Sequence, residues 1–549
     1  MKLNNLRLIR IILAVLMFSL IFGFFCDFTG VMPKQLHGIL HIQVVPAILT
    51  ESIAILVGLF LLTIVFGRIY CSVICPLGIF QDIFARFTRR GKKKNKKRRW
   101  YDYSKPQTIL RYSILCICVA FFIFGITTPL LYLDPYSNFG RIAVNLFRPL
   151  IMEGNNLLNW IALKFHIYHF YYVTIYTVTG WSLAIAATVF VIVGLMALLR
   201  GRLFCNTICP VGTLLGMVSR FSLFRIELDK TGCNSCGLCG HACKSQCINT
   251  KEKYVDYSRC VACFNCLDRC KQNGVSYRFV FSHLSPKQIT VKEKIIPEIT
   301  NRTNIIGMNR RSFLATSTAI AVTLPALSAW AKPENEIDST GQTPDSAPFR
   351  WRNRFRKWFK ADEDNLPITP PGSIGLAHFE KHCTACHLCI AHCPQQILKP
   401  AGFNYGINYA FKPHMVFYEM AYCNYECTIC TEVCPTGAIH KLTKEEKKVT
   451  QVGVAHFIRR RCIVRTEETS CGACSEHCPT QAVKMEPFRD NLTIPHVYDE
   501  LCIGCGGCES ICPARPKAII VYANEIHLTA EKPPEEEEEK DHKDLNFGF

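Results

Sequence analysis

The segment CTACHLCIAHCP, residues 383–394, places four cysteines at the spacing C-x2-C-x2-C-x3-C. Three other segments repeat this spacing without change, and two more alter only its first interval. The unchanged sets are Cys233, Cys236, Cys239, Cys243; Cys260, Cys263, Cys266, Cys270; Cys383, Cys386, Cys389, Cys393; and Cys502, Cys505, Cys508, Cys512. The altered sets are Cys423, Cys427, Cys430, Cys434 and Cys462, Cys471, Cys474, Cys478. These 24 of the chain's 32 cysteines predict that bound metal takes the place of a large apolar core in these parts.

This spacing is typical of bacterial ferredoxins, which hold 4Fe–4S clusters through cysteine thiolates. Disulfide frameworks suit short secreted domains, and six tight repeats have poor disulfide geometry. Structural zinc sites use two C-x2-C pairs with a longer gap, or add histidines at set intervals. Residues 383–387 also match the haem signature C-x-x-C-H, but the cluster repeat already uses both cysteines. We predict six 4Fe–4S clusters, and so many carriers in one chain indicate electron transfer over a distance.

Ferredoxin modules exchange ligands, because the fourth cysteine of one motif binds the cluster of the other. Residues 228–285 contain two motifs and form a predicted two-cluster ferredoxin domain. The exchange there predicts two ligand sets: Cys233, Cys236, Cys239 with Cys270, and Cys260, Cys263, Cys266 with Cys243. Neither fourth cysteine is followed by proline, which departs from the usual run. Cys247 is left without a predicted role.

Apolar residues are concentrated before residue 200, in four runs of about twenty residues, the length that crosses a bilayer. The runs are 8–27, 46–66, 107–128 and 174–199. Four such runs within 200 residues are unusual for buried helices of a soluble core. The predicted fold class is therefore an α-helical membrane domain of four spans, or five with a later segment, joined to two α+β ferredoxin-like iron–sulfur domains.

Basic residues orient these spans. The segment ARFTRRGKKKNKKRRW, residues 85–100, lies between the second and third runs and contains no acidic residue. The positive-inside rule places this loop, and the N-terminus with Lys2, Arg7 and Arg10, in the cytoplasm. The net charge of +20 then reports membrane topology, and no nucleic-acid partner is expected. Residues 28–45 and 129–173 should face outward.

A second pattern, G-R-x-aromatic-C-x3-C-P-x-G, follows the second and fourth runs, at residues 67–78 and 201–212. This repeat indicates a duplicated two-span unit. Pro76 and Pro210 suit the first turn of a helix, so each cysteine pair should face the positive end of a helix dipole. We predict that the two pairs jointly hold a seventh cluster. The alternative is redox-active or structural thiols. The four residues are Cys71, Cys75, Cys205 and Cys209.

Residues 309–314, NRRSFL, form a twin-arginine export signature followed by a modestly apolar segment ending in Ala329-Trp330-Ala331. Twin-arginine export serves proteins that fold around cofactors before crossing. The segment 313–331 is either cleaved or retained as a fifth span. The predicted domains are 1–227, the membrane domain; 228–285, the cytoplasmic two-cluster domain; 286–348, the signal and linker; 349–528, the exported four-cluster domain; and 529–549, an acidic tail.

The two halves of the chain resemble two known families. Residues 1–280, with the spans, the repeated C-x3-C-P segments and the two-cluster domain, resemble the NapH/MauN family of membrane quinol dehydrogenase subunits. Residues 308–525, with CTACHLCIAHCP, CNYECTICTEVCP, CGACSEHCP and CIGCGGCESICP, resemble the NapG/MauM family of exported ferredoxin-type proteins. The chain looks like a natural fusion of the two.

The resemblance implies menaquinol oxidation at the bacterial inner membrane, with electrons passed to a periplasmic terminal reductase or its cytochrome. Nitrate and nitrous oxide reductases are the commonest such partners. The resemblance also implies that, in the exported domain, the first motif exchanges ligands with the fourth and the second with the third. A cytoplasmic redox partner for the inner clusters is a further expectation.

Quinol oxidation releases two protons and two electrons, so it needs a proton acceptor beside an apolar pocket. The candidates are Asp134, His166 and His169 in or beside one outward loop, and Asp27, His37 and His41 in the other. A histidine at a membrane edge is more often structural. Two other functions stay open: a membrane ferredoxin for metallocentre assembly or regulation, and a passive relay whose quinol chemistry belongs to a partner.

Overall fold

The structure is a computed structural model that describes residues 3–87, 101–175, 180–229, 232–270, 272, 274–280, 366–418, 420–489 and 491–532. Several predictions concern residues outside these ranges. They are most of the basic loop, the twin-arginine signature with segment 313–331, the linker 332–348 and the acidic tail. The described residues form three units: a helical unit (3–221), an inner ferredoxin-like unit (224–280) and an outer ferredoxin-like unit (366–532).

The helical unit contains thirteen α-helices among its described residues. They are α1 (Leu3–Cys26), α2 (Gly38–His41), α3 (Val44–Leu49), α4 (Ile53–Phe66), α5 (Tyr70–Val73), α6 (Pro76–Phe87), α7 (Thr108–Ile123), α8 (Thr128–Leu133), α9 (Pro135–Ile142), α10 (Arg148–Lys164), α11 (Gly180–Arg200), α12 (Leu203–Thr207) and α13 (Pro210–Val218). A π-helical turn covers Ala143–Phe147, and 3-10 helices cover Lys34–His37 and Ser219–Phe221.

Two described helices are long and apolar enough to cross a membrane, Asn5–Cys26 and Gly180–Arg200. They match the first and fourth predicted spans. The second predicted span is broken, because α3 ends at Leu49 and α4 begins at Ile53, with Glu51 between them at a φ of 52°. The third contains only the 16-residue α7. Four spans therefore stay a prediction.

The duplicated unit predicted from sequence is present in the element order. Each copy has a long apolar helix (α4 or α11), a short helix carrying the first cysteine (α5 or α12), and a helix that begins at the proline after the second cysteine (α6 or α13). Proline suits the first helical position, because its missing N–H would have no partner there. The predicted helix starts at Pro76 and Pro210 are confirmed.

The inner ferredoxin-like unit consists of two short helices and two antiparallel pairs of strands. Its elements are β1 (Phe224–Leu228), α14 (Leu238–Ala242), β2 (Ile248–Asn249), β3 (Tyr254–Val255), α15 (Asn265–Arg269) and β4 (Val275–Phe279). Strand β1 pairs antiparallel with β4, from Phe224 opposite Phe279 to Leu228 opposite Val275. This pairing closes the unit end to end and holds both cysteine motifs between its strands.

The outer ferredoxin-like unit has the same kind of construction, repeated twice. Its elements are α16 (Leu376–His382), α17 (Leu388–His392), β5 (Leu398–Pro400), β6 (Pro413–Met415), α18 (Ile429–Val433), α19 (Lys444–Val449), β7 (Thr450–Phe457), α20 (Ile463–Thr466), α21 (Ala473–Glu476), β8 (Val483–Pro487), β9 (Thr493–Val497), α22 (Gly507–Ile511) and β10 (Ile519–Thr529). Antiparallel pairs form between β5 and β6, β8 and β9, and β7 and β10.

The helical unit contacts both ferredoxin-like units, at different helix ends. The start of α1 reaches the inner unit, where Arg7 pairs with Asp268. Its other end packs near α17 of the outer unit, where His37 and His392 stack edge to face. Since α1 has 24 residues, the helix is about 36 Å long.

Candidate iron–sulfur centres

The contacts of seven of the inner unit's eight motif cysteines define two sites, and the eighth, Cys236, is exposed. Cys233 and Cys270 are electrostatic neighbours of Cys239, and Cys243 lines one cavity with Cys260, Cys263 and Cys266. The fourth cysteine of each motif therefore joins the other motif's first three. This arrangement agrees with the ligand exchange predicted from the spacing.

Cys247 is a fifth cysteine at the second of these sites. It is buried, and its Sγ lies 3.4 Å from Cys243 Sγ. A hydrogen bond from Cys247 lowers the pKa of Cys243 to about 7 and correspondingly raises the pKa of Cys247. The thiol therefore stabilises the Cys243 thiolate from outside the ligand set. Sequence reasoning missed this role, because Cys247 lies outside the motif spacing.

The outer unit forms four sites, but their pairing differs from the one that the resemblance implied. The first motif exchanges its fourth cysteine with the second, and the third with the fourth. The four sets are Cys383, Cys386, Cys389 with Cys434; Cys423, Cys427, Cys430 with Cys393; Cys462, Cys471, Cys474 with Cys512; and Cys502, Cys505, Cys508 with Cys478. The expected pairing of first with fourth and second with third is wrong, because β5–β6 and β8–β9 each fold two successive motifs together.

The stretched motif takes its place in this scheme. Cys462 lies at the end of a 3-10 turn, Arg459–Arg461, and lines a cavity with Cys471, Cys474 and Cys512. The eight residues between Cys462 and Cys471 form the short helix α20 and a loop. The longer interval therefore changes the local path of the chain without removing the cysteine from its site.

The thiols of these sites have surroundings that suit the ligands of an iron–sulfur cluster. The sulfurs receive backbone hydrogen bonds, including Ala385 N–H to Cys383 Sγ and Ala518 N–H to Cys512 Sγ, both at 3.4 Å. Such bonds stabilise thiolates and tune cluster potentials. When bound, a 4Fe–4S cluster supplies one-electron redox chemistry.

The helical unit brings its two cysteine pairs together in one buried site. Cys71, Cys75, Cys205 and Cys209 are each no more than 3% exposed, and their thiols are electrostatic neighbours. Gly212 N–H donates to Cys209 Sγ at 3.2 Å, at the start of α13. Gln81 Nε2 donates to Cys205 Sγ at 3.1 Å. The convergence predicted from the repeat is therefore present.

Two arginines, one from each copy of the helical repeat, contact the other copy. Arg68, of the first copy, donates from Nη2 to the carbonyl oxygen of Cys205 at 3.2 Å, and Arg202 donates from Nη1 to the carbonyl oxygen of Cys71. Both side chains are fully buried. The glycine of each motif permits this close packing: a Cβ on Gly78 or Gly212 would lie 2.3 Å from the oxygen of Cys71 or Cys205.

Arg68 carries a charge that no described carboxylate pairs. Its hydrogen bonds go to Asn206 Oδ1, Ser258 O, Cys205 O and, at 3.8 Å, Cys71 Sγ. A buried cation without a counter-charge is costly, since desolvation is not repaid. Thiolates or an anionic cluster at the four cysteines would supply that counter-charge. Sequence reasoning quoted the Gly-Arg pair of each repeat but gave the arginines no role.

Packed side chains connect this site to both ferredoxin-like units. Toward the inner unit, Arg68 Nη1 donates to the carbonyl of Ser258 at 2.9 Å, two residues before Cys260. Toward the outer unit, α6 packs on α9, and a Cβ on Gly140 of α9 would lie 2.3 Å from the carbonyl oxygen of Cys386. One continuous buried core contains Cys263, the four helical-unit cysteines and Cys386.

The proton acceptors predicted in or beside the outward loop 129–173 are not brought together. Asp134 is 1% exposed and caps α9, where it accepts hydrogen bonds from Ser137 N–H at 2.8 Å and Ser137 Oγ at 2.7 Å. Burial raises the pKa of Asp134. His166 and His169 are exposed beyond α10. Among the described residues, neither histidine bonds to Asp134, whose visible role is structural.

The other predicted outward loop, residues 28–45, contacts the outer unit instead. His41 bonds to the backbone of Pro435, beside Cys434, and burial lowers the pKa of His41. His37 packs against Phe24, with ring centroids 5.0 Å apart. Asp27 accepts three backbone N–H bonds from Thr29, Gly30 and Met32, as in a turn. This loop docks the outer unit beside its first cysteine site.

Three family models match parts of the chain. A 4Fe-4S binding domain matches residues 48–95 and 180–229, which are the two copies of the helical repeat. A 4Fe-4S dicluster domain matches residues 382–439, and another matches residues 469–515. These boundaries agree with the pairing of first with second and third with fourth motifs in the outer unit.

Similar proteins carry ferredoxin names. The methylamine utilization ferredoxin-type protein MauM of Methylobacillus flagellatus is 29% identical over 29% of this chain and 70% of its own length. The ferredoxin-type protein NapG of Escherichia coli is 29% identical over 29% of this chain and 72% of its own. An uncharacterized protein of Methanocaldococcus jannaschii is 23% identical over 50% of this chain and 88% of its own.

No solved structure matches the chain significantly. The matching domains and relatives support a coarse assignment: the chain is an iron–sulfur electron-transfer protein related to the Nap and Mau ferredoxin-type proteins.

Proposed function

We propose that the protein is a membrane-bound quinol dehydrogenase component that oxidises menaquinol and passes electrons to a periplasmic terminal reductase of the nitrate or nitrous oxide type. The helical unit crosses the inner membrane. The inner unit lies in the cytoplasm, and the twin-arginine segment exports the outer unit to the periplasm. The resemblance to fused NapH/MauN-like and NapG/MauM-like proteins belongs to this proposal.

One observation carries the proposal: a buried four-cysteine site lies between two ferredoxin-like units that contact different ends of α1. Biological electron transfer needs closely spaced carriers, and α1, which contacts both ferredoxin-like units, is about 36 Å long. The charge of Arg68 supports a seventh cluster at Cys71, Cys75, Cys205 and Cys209. The seven centres would then form one series.

The chemistry balances with carriers of this class. A quinol becomes a quinone by breaking two O–H bonds; its two electrons go to one-electron iron–sulfur acceptors and its two protons go to water. The residues of this chain hold those acceptors, exclude water from the central site and keep its cations beside the thiols.

Reconstitution tests the function. The full-length holoprotein in lipid nanodiscs is mixed with a reduced menaquinone analogue, and cluster reduction is followed by electron paramagnetic resonance. We expect reduction that a quinone-site inhibitor blocks. Dithionite treatment of the same sample controls for cluster content. Reduction by dithionite but never by the quinol, at any pH between about 6 and 9, would exclude the dehydrogenase function and leave the assembly or relay functions.

A further inference from the structure

A cavity of ≈220 Å³ lies between the first half of α1 and helix α6. Its apolar wall is formed by Ile11, Ala14, Val15, Ile79 and Ile83. Its polar end is formed by Arg10, Asp82, Lys244 and Asn265, with Arg7 and Arg86 at the rim. The cavity therefore combines a hydrophobic slot with a small polar end, as is usual for sites that bind ring compounds.

The polar end is a built arrangement of buried charges. Asp82 Oδ1 accepts from Arg202 Nε at 2.8 Å, and Asp82 Oδ2 pairs with Lys244 Nζ at 2.9 Å and with Arg10. Arg10 is 6% exposed, and its Nε has no hydrogen-bond partner in this structure. This unpartnered N–H is buried beside the cavity, and leaving it without an acceptor is costly.

The cavity adjoins two of the cysteine sites. Asn265, which lines it, lies between Cys263 and Cys266 of the inner unit. On the other side, Asp82 follows Gln81, which donates to Cys205 Sγ in the helical unit. A redox molecule in the cavity would thus contact residues that directly flank both the inner and the central centres.

The open side of the cavity is apolar. Val15 is 58% exposed and Ile83 is 38% exposed. On α1, which carries Val15, the side chains of Leu8, Ile12 and Leu16 are also exposed. In a bilayer this side would face lipid tails, which gives a long-chain molecule direct entry from the membrane.

We propose that this cavity binds the headgroup of a membrane quinol, with the ring between α1 and α6 and its hydroxyl oxygens at Asp82 and Arg10. The inference rests on the proposed quinol dehydrogenase function and gives it a location. A quinol hydroxyl can donate to the Asp82 carboxylate, which Arg10, Arg202 and Lys244 hold in its ionised form. The proton acceptors predicted in the outward loops are then not needed at the binding site.

Binding and reduction are measured on the full-length holoprotein and on Val15→Trp, which fills the slot. The control is Val57→Trp on α4, where Val57 is 49% exposed and lies away from the cavity. The binding probe is the fluorescent quinol analogue heptyl-hydroxyquinoline N-oxide. We expect Val15→Trp to weaken binding about tenfold or more, a change of about 1.4 kcal/mol, because the indole would occupy the space that the quinol ring needs. Val57→Trp should bind as the natural protein does.

Iron content and dithionite-reduced spectra of each variant show whether the centres are intact. If Val15→Trp loses them, Ile83→Trp replaces it, since Ile83 lines the opposite wall. Normal probe binding in both cavity variants, with quinol still reducing the natural protein, would place the quinol site elsewhere and leave the proposed function standing. Failure of the natural protein to bind the probe and to be reduced would overturn both. Displacement of the probe from the cavity only by anionic phospholipid, without quinol reduction, would identify a lipid site and also overturn the inference.

Discussion

The cysteine site of the helical unit and the sites of the ferredoxin-like units are assembled over different distances along the chain. In the outer unit, Cys383, Cys386 and Cys389 lie within seven residues, and Cys434 comes from the next motif. In the helical unit, the bond from Arg68 to Cys205 alone joins residues 137 apart. The ferredoxin-like sites are built from loops with backbone N–H donors. The helical site instead depends on two buried arginines that each reach into the other copy.

The difference shows what limits each kind of centre. A loop site carries its own geometry, so it tolerates the stretched interval before Cys471. The central site has no local scaffold of this kind, and its cysteines converge only when two distant copies pack together. Of its two buried cations, Arg202 pairs with Asp82, whereas Arg68 has no described carboxylate partner and would be stabilised by thiolates or an anionic cluster.

The largest expected effect comes from breaking the central site. With Cys71→Ser and Cys205→Ser together, we expect the loss of about four irons of about 28 per chain, because one of seven four-iron centres is removed. Inner and outer centres should remain, but quinol should no longer reduce the outer ones. Iron analysis and electron paramagnetic resonance measure both. An unchanged iron content would show that these thiols hold no cluster.

A single-cluster effect tests the pairing in the outer unit. Cys434→Ser should destabilise the centre of Cys383, Cys386 and Cys389 and leave the centre of its own motif intact. Alkylation of the folded holoprotein followed by mass spectrometry measures this, because a cysteine bound to a cluster is protected. Cys512→Ser is the matched control and should expose Cys462, Cys471 and Cys474. Labelling of the third motif's cysteines in Cys434→Ser would instead support the pairing of second with third.

The smallest expected effect is a loss of stability at acid pH in strand β10, near the end of the outer unit. Burial lowers the pKa of His527 to about 4, and its Nε2 lies 2.7 Å from Thr369 Oγ1. An unfolded histidine has a pKa near about 6.5, so the unfolded state binds the proton more readily. The contribution of His527 to stability is therefore complete above about pH 6.5 and is lost as the pH falls toward about 4. Over that range the folding equilibrium constant falls by up to about tenfold per pH unit.

The backbone N–H of His527 donates to the carbonyl oxygen of Ile374 at 2.8 Å. Hydrogen exchange of this amide reports local opening of β10. His527→Gln removes the titration and should show a flatter pH dependence between about pH 6.5 and 4. The helical-unit amides serve as an internal reference. An identical pH dependence in both proteins would show that His527 does not control the stability of β10.

The two kinds of centre also differ in how far sequence predicts them. All six motif sets come together in the structure, including Cys462, because three ligands of each site are close in sequence. The exchange between motifs was predicted for the inner unit, which has only two. In the outer unit four motifs allow several exchanges, and the short strand pairs decide among them.

Other features depended on packing that no pattern records. The four helical-unit cysteines were predicted from their repeat, whereas the role of Arg68 depends on its distance from Cys205 and Ser258. Asp82 was not a candidate, because one acidic residue on a helix has no motif; its partners Arg10, Arg202 and Lys244 come from three other segments. The predicted span 46–66 appeared continuous in composition, but the backbone turns at Glu51.

The crossed arginines have a consequence for the origin of the helical unit. Arg68 contacts Cys205 as Arg202 contacts Cys71, which is the reciprocal pattern of an isologous dimer interface, where residue i meets j and j meets i. One copy alone would supply two thiols and one cation, half of a four-cysteine site. A single-copy precursor would therefore complete such a centre only by pairing with itself across a two-fold axis. Covalent duplication then frees each half to diverge on the side that faces a different redox unit.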